Sequence, residues 1–276
     1  MRTWAQRGRG IVVVLLLCGV AGCASPTRSV TRGSSGGAVW RSLARVDVAA
    51  PLLVGLGLAA SGWDDDISDS IAGSGTGDID QVNLNNRQAY DDASEVLLLT
   101  SPLLWGVPTI LNHRAPARPL RDEVPASTAR KIAVGTGATL ATYGAGYLFK
   151  DAVDRQRPDE PDDPDANDSM PSGHTYLTSV AATLARHEIG RSWWSRRTKN
   201  RLSWAVTAVP VATGYLRVRA KRHYVSDVLV GYAFGAFWGH LANDAFLSPA
   251  DPVMPFFTID RRGGNRAVRL GVTFDI

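Results

Sequence analysis

From residue 38 onward, apolar residues recur at helical spacing in long stretches separated by polar breaks, and few stretches alternate with period two. The pattern predicts helices over 38–62, 88–112, 126–156, 172–188, 196–217 and 224–246. Ser127 and Ser172, the latter after Pro171, stand where the third and fourth helices need N-caps. Pro51, Pro102, Pro108 and Pro210 fall within predicted helices and are expected to kink or divide them. The tail has a different pattern. Met254–Asp260 and Arg266–Ile276 flank Arg261-Arg262-Gly263-Gly264-Asn265, which reads as a β-hairpin around a Gly-containing turn. The expected fold class is therefore all-α, a bundle of about six core helices over residues 38–250. A short C-terminal β-hairpin follows over 251–276, and no internal repeat is present.

The first 37 residues do not belong to that bundle. Arg2, Arg7 and Arg9 precede the apolar or small run Ile11–Val20, the basic and apolar regions of a secretory signal. The run is shorter than the roughly 20 residues of a comfortable membrane span. It leads into Val20-Ala21-Gly22-Cys23, which resembles a bacterial lipobox, where small residues precede a Cys that is lipidated after cleavage. The expectation is a lipoprotein signal peptide over 1–22 and a lipidated tether over 23–37 beginning at Cys23. The simpler alternative is an ordinary signal peptide that happens to contain a Cys. Cys18 would leave with the signal, so the mature chain would hold one thiol and no disulfide. Ala24 is not the Asp that commonly retains lipoproteins in the inner membrane of enteric bacteria. That points to the cell envelope, at the periplasmic face of the outer membrane.

Charge and composition narrow the function classes. The chain of 276 residues carries 30 Lys+Arg against 26 Asp+Glu, with 45% hydrophobic and 20% charged residues. Those proportions are ordinary for a globular protein and exclude a disordered tail or a disulfide-stapled miniprotein. Residues 1–22 hold three arginines and no acid, so 27 basic against 26 acidic residues remain beyond them. The sequence pI near 9.3 is therefore no argument for nucleic acid, and no nucleic-acid partner is expected. The longest windows without formal charge, Ile132–Phe149 and Val96–His113, have 18 residues each and are diluted by Gly, Ala, Thr and Pro. With a mean hydropathy of −0.07, the expectation is a soluble bundle held to a membrane by its lipid.

The residues that carry chemistry lie between 150 and 227. Lys150 and Arg157 are seven apart, which on one helix places both cations on one face, where a planar fork and a point charge suit an anion. Alone, the pair reads rather as a solvated basic face beside Asp151, Asp154 and Arg155. Pro171-Ser172-Gly173-His174 opens a helix, whose free amides and positive end favour an anion, with His174 near enough to move a proton. Alone, it is a turn, a cap and a surface His. His223 and Asp227 form an i, i+4 pair in which a carboxylate can fix one ring nitrogen and free the other as a nucleophile. Alone, Asp227 is a helix-start charge. Arg217, six residues before His223, needs a break near 218–221 to turn back to the same anion.

In this order, Lys150-(six residues)-Arg157-Pro158, Pro171-Ser172-Gly173-His174 and Arg217-(five)-His223-(three)-Asp227 resemble the three signatures of the type 2 phosphatidic acid phosphatase (PAP2) superfamily, which includes bacterial class A acid phosphatases and vanadium haloperoxidases. One position departs: Leu216 stands where the family usually has Ser. The resemblance implies a PAP2/haloperoxidase-like helical fold and a phosphoric monoester hydrolase that needs no cofactor and no metal. It implies His223 as nucleophile oriented by Asp227, and His174 as the acid for the leaving oxygen. Lys150, Arg157, Ser172, Gly173 and Arg217 would bind the phosphate. The substrate would be a phosphorylated small molecule or a lipid (pyro)phosphate. A vanadate-dependent haloperoxidase and a non-catalytic envelope lipoprotein of the same fold are the alternatives. The acidic stretch Asp159–Asp168 reads as a solvated loop, or else a cation site or gate. Asp64-Asp65-Asp66 reads as a helix-start cluster, and His113, His187 and His240 as structural. Arg219, Lys221 and Arg222 either widen the positive field or face solvent.

Overall fold

The computed structural model describes residues 35–73, 81–113, 127–159 and 167–247, and two strands in the tail. The signal, Cys23 and most of the tether lie outside the described residues. Eight α-helices follow in order: α1 (Ser35–Leu43), α2 (Val46–Ser61), α3 (Asp64–Ala72), α4 (Gln81–His113), α5 (Thr128–Val153), α6 (Gly173–Arg191), α7 (Arg196–Arg219) and α8 (Val225–Ala242). A short π-helical turn, Asn243–Leu247, extends α8. In the tail, β1 (Met254–Arg262) and β2 (Asn265–Thr273) pair antiparallel, with Arg262 opposite Asn265.

The mainly helical expectation holds, with different boundaries. The first predicted helix is two, because Arg45 takes an extended conformation between them. The helix-start cluster Asp64-Asp65-Asp66 opens α3, which the predicted helices leave out because Asp64–Ala72 offers only Ile67 and Ile71 as large apolar residues, too few for a periodic signal. All four internal prolines sit within helices that continue through them. Ser127 caps α5 as expected, its hydroxyl accepting from the Arg130 amide at 3.2 Å. Ser172 occupies the N-cap position of α6 without a side-chain capping bond.

α6 and α8 form the centre, and α2, α4, α5 and α7 pack around them. A glycine ladder on α8 lets the two central helices approach closely. A Cβ on Gly235 would fall 2.1 Å from the Tyr176 carbonyl oxygen, and one on Gly239 would fall 2.7 Å from the Thr183 Cβ. Val180, Ala181, Leu184 and Ala185 of α6 form one core with Trp105 and Ala138. Phe149, Met170 and Val230 form a second below the candidate site, where the Phe149 and Phe234 rings meet edge-on at 5.9 Å.

The outer helices turn apolar side chains away from this core. Leu53 on α2, Leu99 and Leu103 on α4, Leu140 and Leu148 on α5 and Trp204 on α7 are all exposed. Within α4, Asn85–Asn112 is long and apolar enough to cross a membrane, and only 28% of its most apolar window is buried in the protein. The bent pair Gly37–Leu43 and Val46–Ser61 passes the same test if taken as one span. The expectation of a soluble bundle was drawn from window lengths, which carry no information on this exposure. Counting charge-free residues says nothing about which side of a helix points outward.

Candidate active site

One end of the bundle gathers the ends of α5 and α7, the starts of α6 and α8, and the N-terminal part of α4. Lys150 lies in the last turn of α5, which stops at Val153 rather than near 156. Asp154 adopts the left-handed conformation (φ 53°), its amide closing on the Lys150 carbonyl at 3.0 Å. Arg157 is therefore off the helix, and the expected shared helical face does not exist. Asp168 brings the two cations together instead. Its carboxylate accepts from Arg157 Nε and Nη2 at 2.7 and 3.0 Å and lies 3.3 Å from Lys150 Nζ. A backbone bridge between Arg155 and Asp168 holds this crossing. The end of the acidic stretch is thus a partner of the candidate phosphate cations, and Asp159 likewise pairs with Arg222 at 2.8 Å.

The start of α6 is tied to the start of α8: the Ser172 amide donates to the Asp227 carbonyl at 3.0 Å. Ser172 is fully buried and its hydroxyl accepts from Thr175 at 3.0 Å, which leaves its own proton to donate. Gly173 and His174 open the helix. His174 Nε2 is buried without a hydrogen-bond partner among the described residues, 3.7 Å from the exposed Glu95 carboxylate. Arg217, in the last turn of α7, pairs with Asp91 of α4, which also takes Arg222 at 3.2 Å. The break expected near 218–221 comes just after it. The chain turns afterwards, at Ala220–Arg222, with Lys221 in the left-handed region (φ 58°).

His223 precedes α8 rather than opening it, and is only 2% exposed. Its Nδ1 lies 3.7 Å from Asp227 Oδ2 and 3.5 Å from the Ser169 hydroxyl, which itself donates to Asp227 Oδ2 at 2.6 Å. The Tyr224 amide also donates to that oxygen, at 2.9 Å. Burial holds His223 down to about 4 against the pull of Asp227, helped by Arg217 and Lys150. Burial, then Arg217 and His223, hold His174 down to about 3. Burial alone would raise the Asp227 carboxyl; Arg155, His223 and Ser169 overcome it and keep the group below the ordinary range. Both imidazoles are thus neutral near pH 7, and each feels Arg217 and Lys150.

Sequence reasoning missed Arg155, Asp64, Ser169 and Ser226. Arg155 Nη1 donates to Asp227 Oδ1 at 2.7 Å and Nη2 to Asp64 Oδ2 at 2.7 Å. Asp64, 2% exposed, also accepts from the Ser226 amide at 3.0 Å and from its hydroxyl. Only the buried position of these charges singles them out, and a linear pattern cannot show that. Among the described residues no three His, Cys, Asp or Glu side chains are grouped to hold a metal ion. His187 and His240 bond to each other at 2.9 Å, at the opposite end of α6 and α8, with Asp47 on His240 at 3.1 Å.

Residues 131–247 match the model of the PAP2 superfamily. A decaprenylphosphoryl-5-phosphoribose phosphatase from Mycobacterium tuberculosis is 33% identical over 117 residues, covering 41% of this chain and 59% of that protein. A lipid A 1-phosphatase from Porphyromonas gingivalis is 39% identical over 95 residues, covering 33% of this chain and 18% of that protein. The chain therefore spans less than two thirds of the length of either relative. A solved transmembrane PAP2 type phosphatidylglycerolphosphate phosphatase from Bacillus subtilis superposes with a TM-score of 0.49 at 20% identity, over 72% of this chain and 95% of that one.

Proposed function

We propose, on the match of residues 131–247 to the PAP2 superfamily, that the chain is a phosphatase of that superfamily acting on phosphate monoesters or lipid (pyro)phosphates through a phosphohistidine on His223. The observation that carries this reading is the meeting, at one end of the bundle, of Lys150 in the last turn of α5, Arg217 in the last turn of α7, His174 in the first turn of α6, and the buried His223, whose Nδ1 lies 3.7 Å from Asp227. Asp227 and Ser169 face Nδ1 of His223, so Nε2 is the free nucleophilic atom. It attacks phosphorus, forming the N–P bond as the bond to the leaving oxygen breaks. Lys150, Arg157, Arg217, the Ser172 hydroxyl and the Gly173 amide hold the equatorial oxygens, where charge must be stabilised. His174 gives its proton to the leaving oxygen, then takes one from the water that splits the phosphohistidine. Burial disfavours the charged form of His174, and the arriving phosphate dianion offsets that penalty.

The relatives' names are those of phosphatases of a phosphoribosylated lipid and of lipid A. Together with the outward apolar faces of α2, α4 and α5, they support a membrane-associated protein and a lipid phosphate substrate. In this reading the lipid on Cys23 tethers the chain to the envelope, and the helical body faces the periplasm. The test is a panel of nitrophenyl phosphate, phosphatidic acid, isoprenyl pyrophosphate and lipid A with the full chain and its His223→Ala variant. Acid quench of the parent with labelled substrate should trap an acid-labile phosphoenzyme absent from the variant. Steady turnover by His223→Ala would overturn the assignment.

A further inference from the structure

Asp64 lies in α3, outside residues 131–247, yet it is one of the most buried charges near His223. It is joined to the candidate nucleophile by an unbroken chain of contacts. Asp64 accepts from Arg155 Nη2, Arg155 Nη1 donates to Asp227 Oδ1, and Asp227 Oδ2 faces His223 Nδ1. A side branch closes the loop: Arg155 Nη1 also donates to the Ser226 hydroxyl at 2.5 Å, and Ser226 donates to Asp64. The guanidinium lies 4.1 Å over the Tyr224 ring, which limits its freedom to swing away. Both carboxylates are almost wholly buried and share this one cation. A rigid planar fork between two fixed acceptors sets the rotation of the Asp227 carboxyl group about its own axis.

That rotation matters because Oδ2, not Oδ1, faces the imidazole. We infer that Asp64 and Arg155 are positioning residues for the nucleophile: Arg155, clamped by Asp64, fixes the carboxylate that holds His223 with its proton on Nδ1. The inference rests on His223 being the nucleophile of the proposed phosphatase. It makes the polar α3, whose only sequence mark is a run of three aspartates, a working part of the site. A purely structural staple would have the same contacts but would act on stability independently of Asp227.

Two measurements separate these roles. In steady-state kinetics, Arg155→Gln should lower kcat by about tenfold or more and leave KM within about threefold, because its guanidinium is engaged by Asp64, Asp227 and Ser226. In an Asp227→Asn background the same change should cost less than about twofold, because the route from its guanidinium through the Asp227 carboxylate to His223 is already cut. Arg155→Lys should recover part of the loss, and Asp64→Asn should repeat the pattern if Arg155→Gln does not fold. Independently of turnover, nitrogen-15 histidine spectra of the full chain should show His223 protonated on Nδ1 at pH 7. The signal is identified by its loss in His223→Ala, and the Nε2-protonated form should appear in the Arg155 and Asp64 variants. Losses of kcat that multiply in full with Asp227→Asn, or an unchanged tautomer in every folded variant, overturn the inference. A parent chain inactive on all phosphates would overturn the phosphatase reading alone, and the spectra would still decide the positioning role.

Discussion

Asp168 occupies the two cations to which the substrate phosphate is assigned, so replacing it by Asn should tighten phosphate binding. The carboxylate makes a fork with Arg157 and a longer contact with Lys150, but its side chain is 47% exposed and that of Arg157 24%. Solvent screening at such exposure limits the pair to about 1 kcal/mol, despite the favourable fork geometry. Removing about 1 kcal/mol of competition corresponds to about a fivefold lower Kd for inorganic phosphate or vanadate. Calorimetric titration of the full chain reads that ratio directly, without depending on turnover. Burial would raise the Asp168 carboxyl, but the bond to Arg157 and the charge of Lys150 hold it below the ordinary range. The competing charge is therefore fully present above about pH 4 and is lost only as pH falls through the depressed value. The advantage of Asp168→Asn should hold constant from pH 7 to 5 and close at more acid pH. Equal or weaker binding by the variant at pH 7 would refute the reasoning and show that Asp168 organises the cations instead of competing for them.

Two further perturbations test the fold and the apolar exterior. Gly235→Ala should lower stability by about 3 kcal/mol, because its Cβ would meet the Tyr176 backbone oxygen at 2.1 Å. Gly137→Ala, with nothing within 4 Å of its Cβ, should raise stability by a few tenths to about 1 kcal/mol in the same melting experiment. With Cys23→Ser blocking the proposed lipidation, the full chain should still sediment with phospholipid vesicles through its exposed faces. Adding Leu99→Asp, at a position 74% exposed, should weaken that association while nitrophenyl phosphate turnover stays unchanged. Equal vesicle binding with and without the added charge would refute the lipid-facing assignment of α4.

Linear sequence was enough for the mainly helical class and for five of the helices within several residues, and it supplied the blocks around Lys150, Ser172 and His223 on which the proposal rests. Periodicity and capping act over a few residues, so local spacing reports them. It was not enough where the outcome depends on residues far apart in the chain. Lys150 and Arg157 looked like neighbours on one helix; a left-handed Asp154 ends the helix, and Asp168 brings the two together. Arg155 looked like a solvated charge, and Asp64 like a helix-start residue. Their mutual salt bridge spans 91 positions, and only packing α3 against the start of α8 buries it. The outward turn of Leu99, Leu140 and Trp204 was equally invisible, because an apolar residue has the same periodicity whether its helix face meets the core or the surroundings. Sequence by itself determined which groups are proposed for phosphate chemistry, because the means for it belong to the side chain and its local backbone. Tertiary structure decided which of them are dry, neutral and paired, because desolvation and charge coupling depend on distance through space.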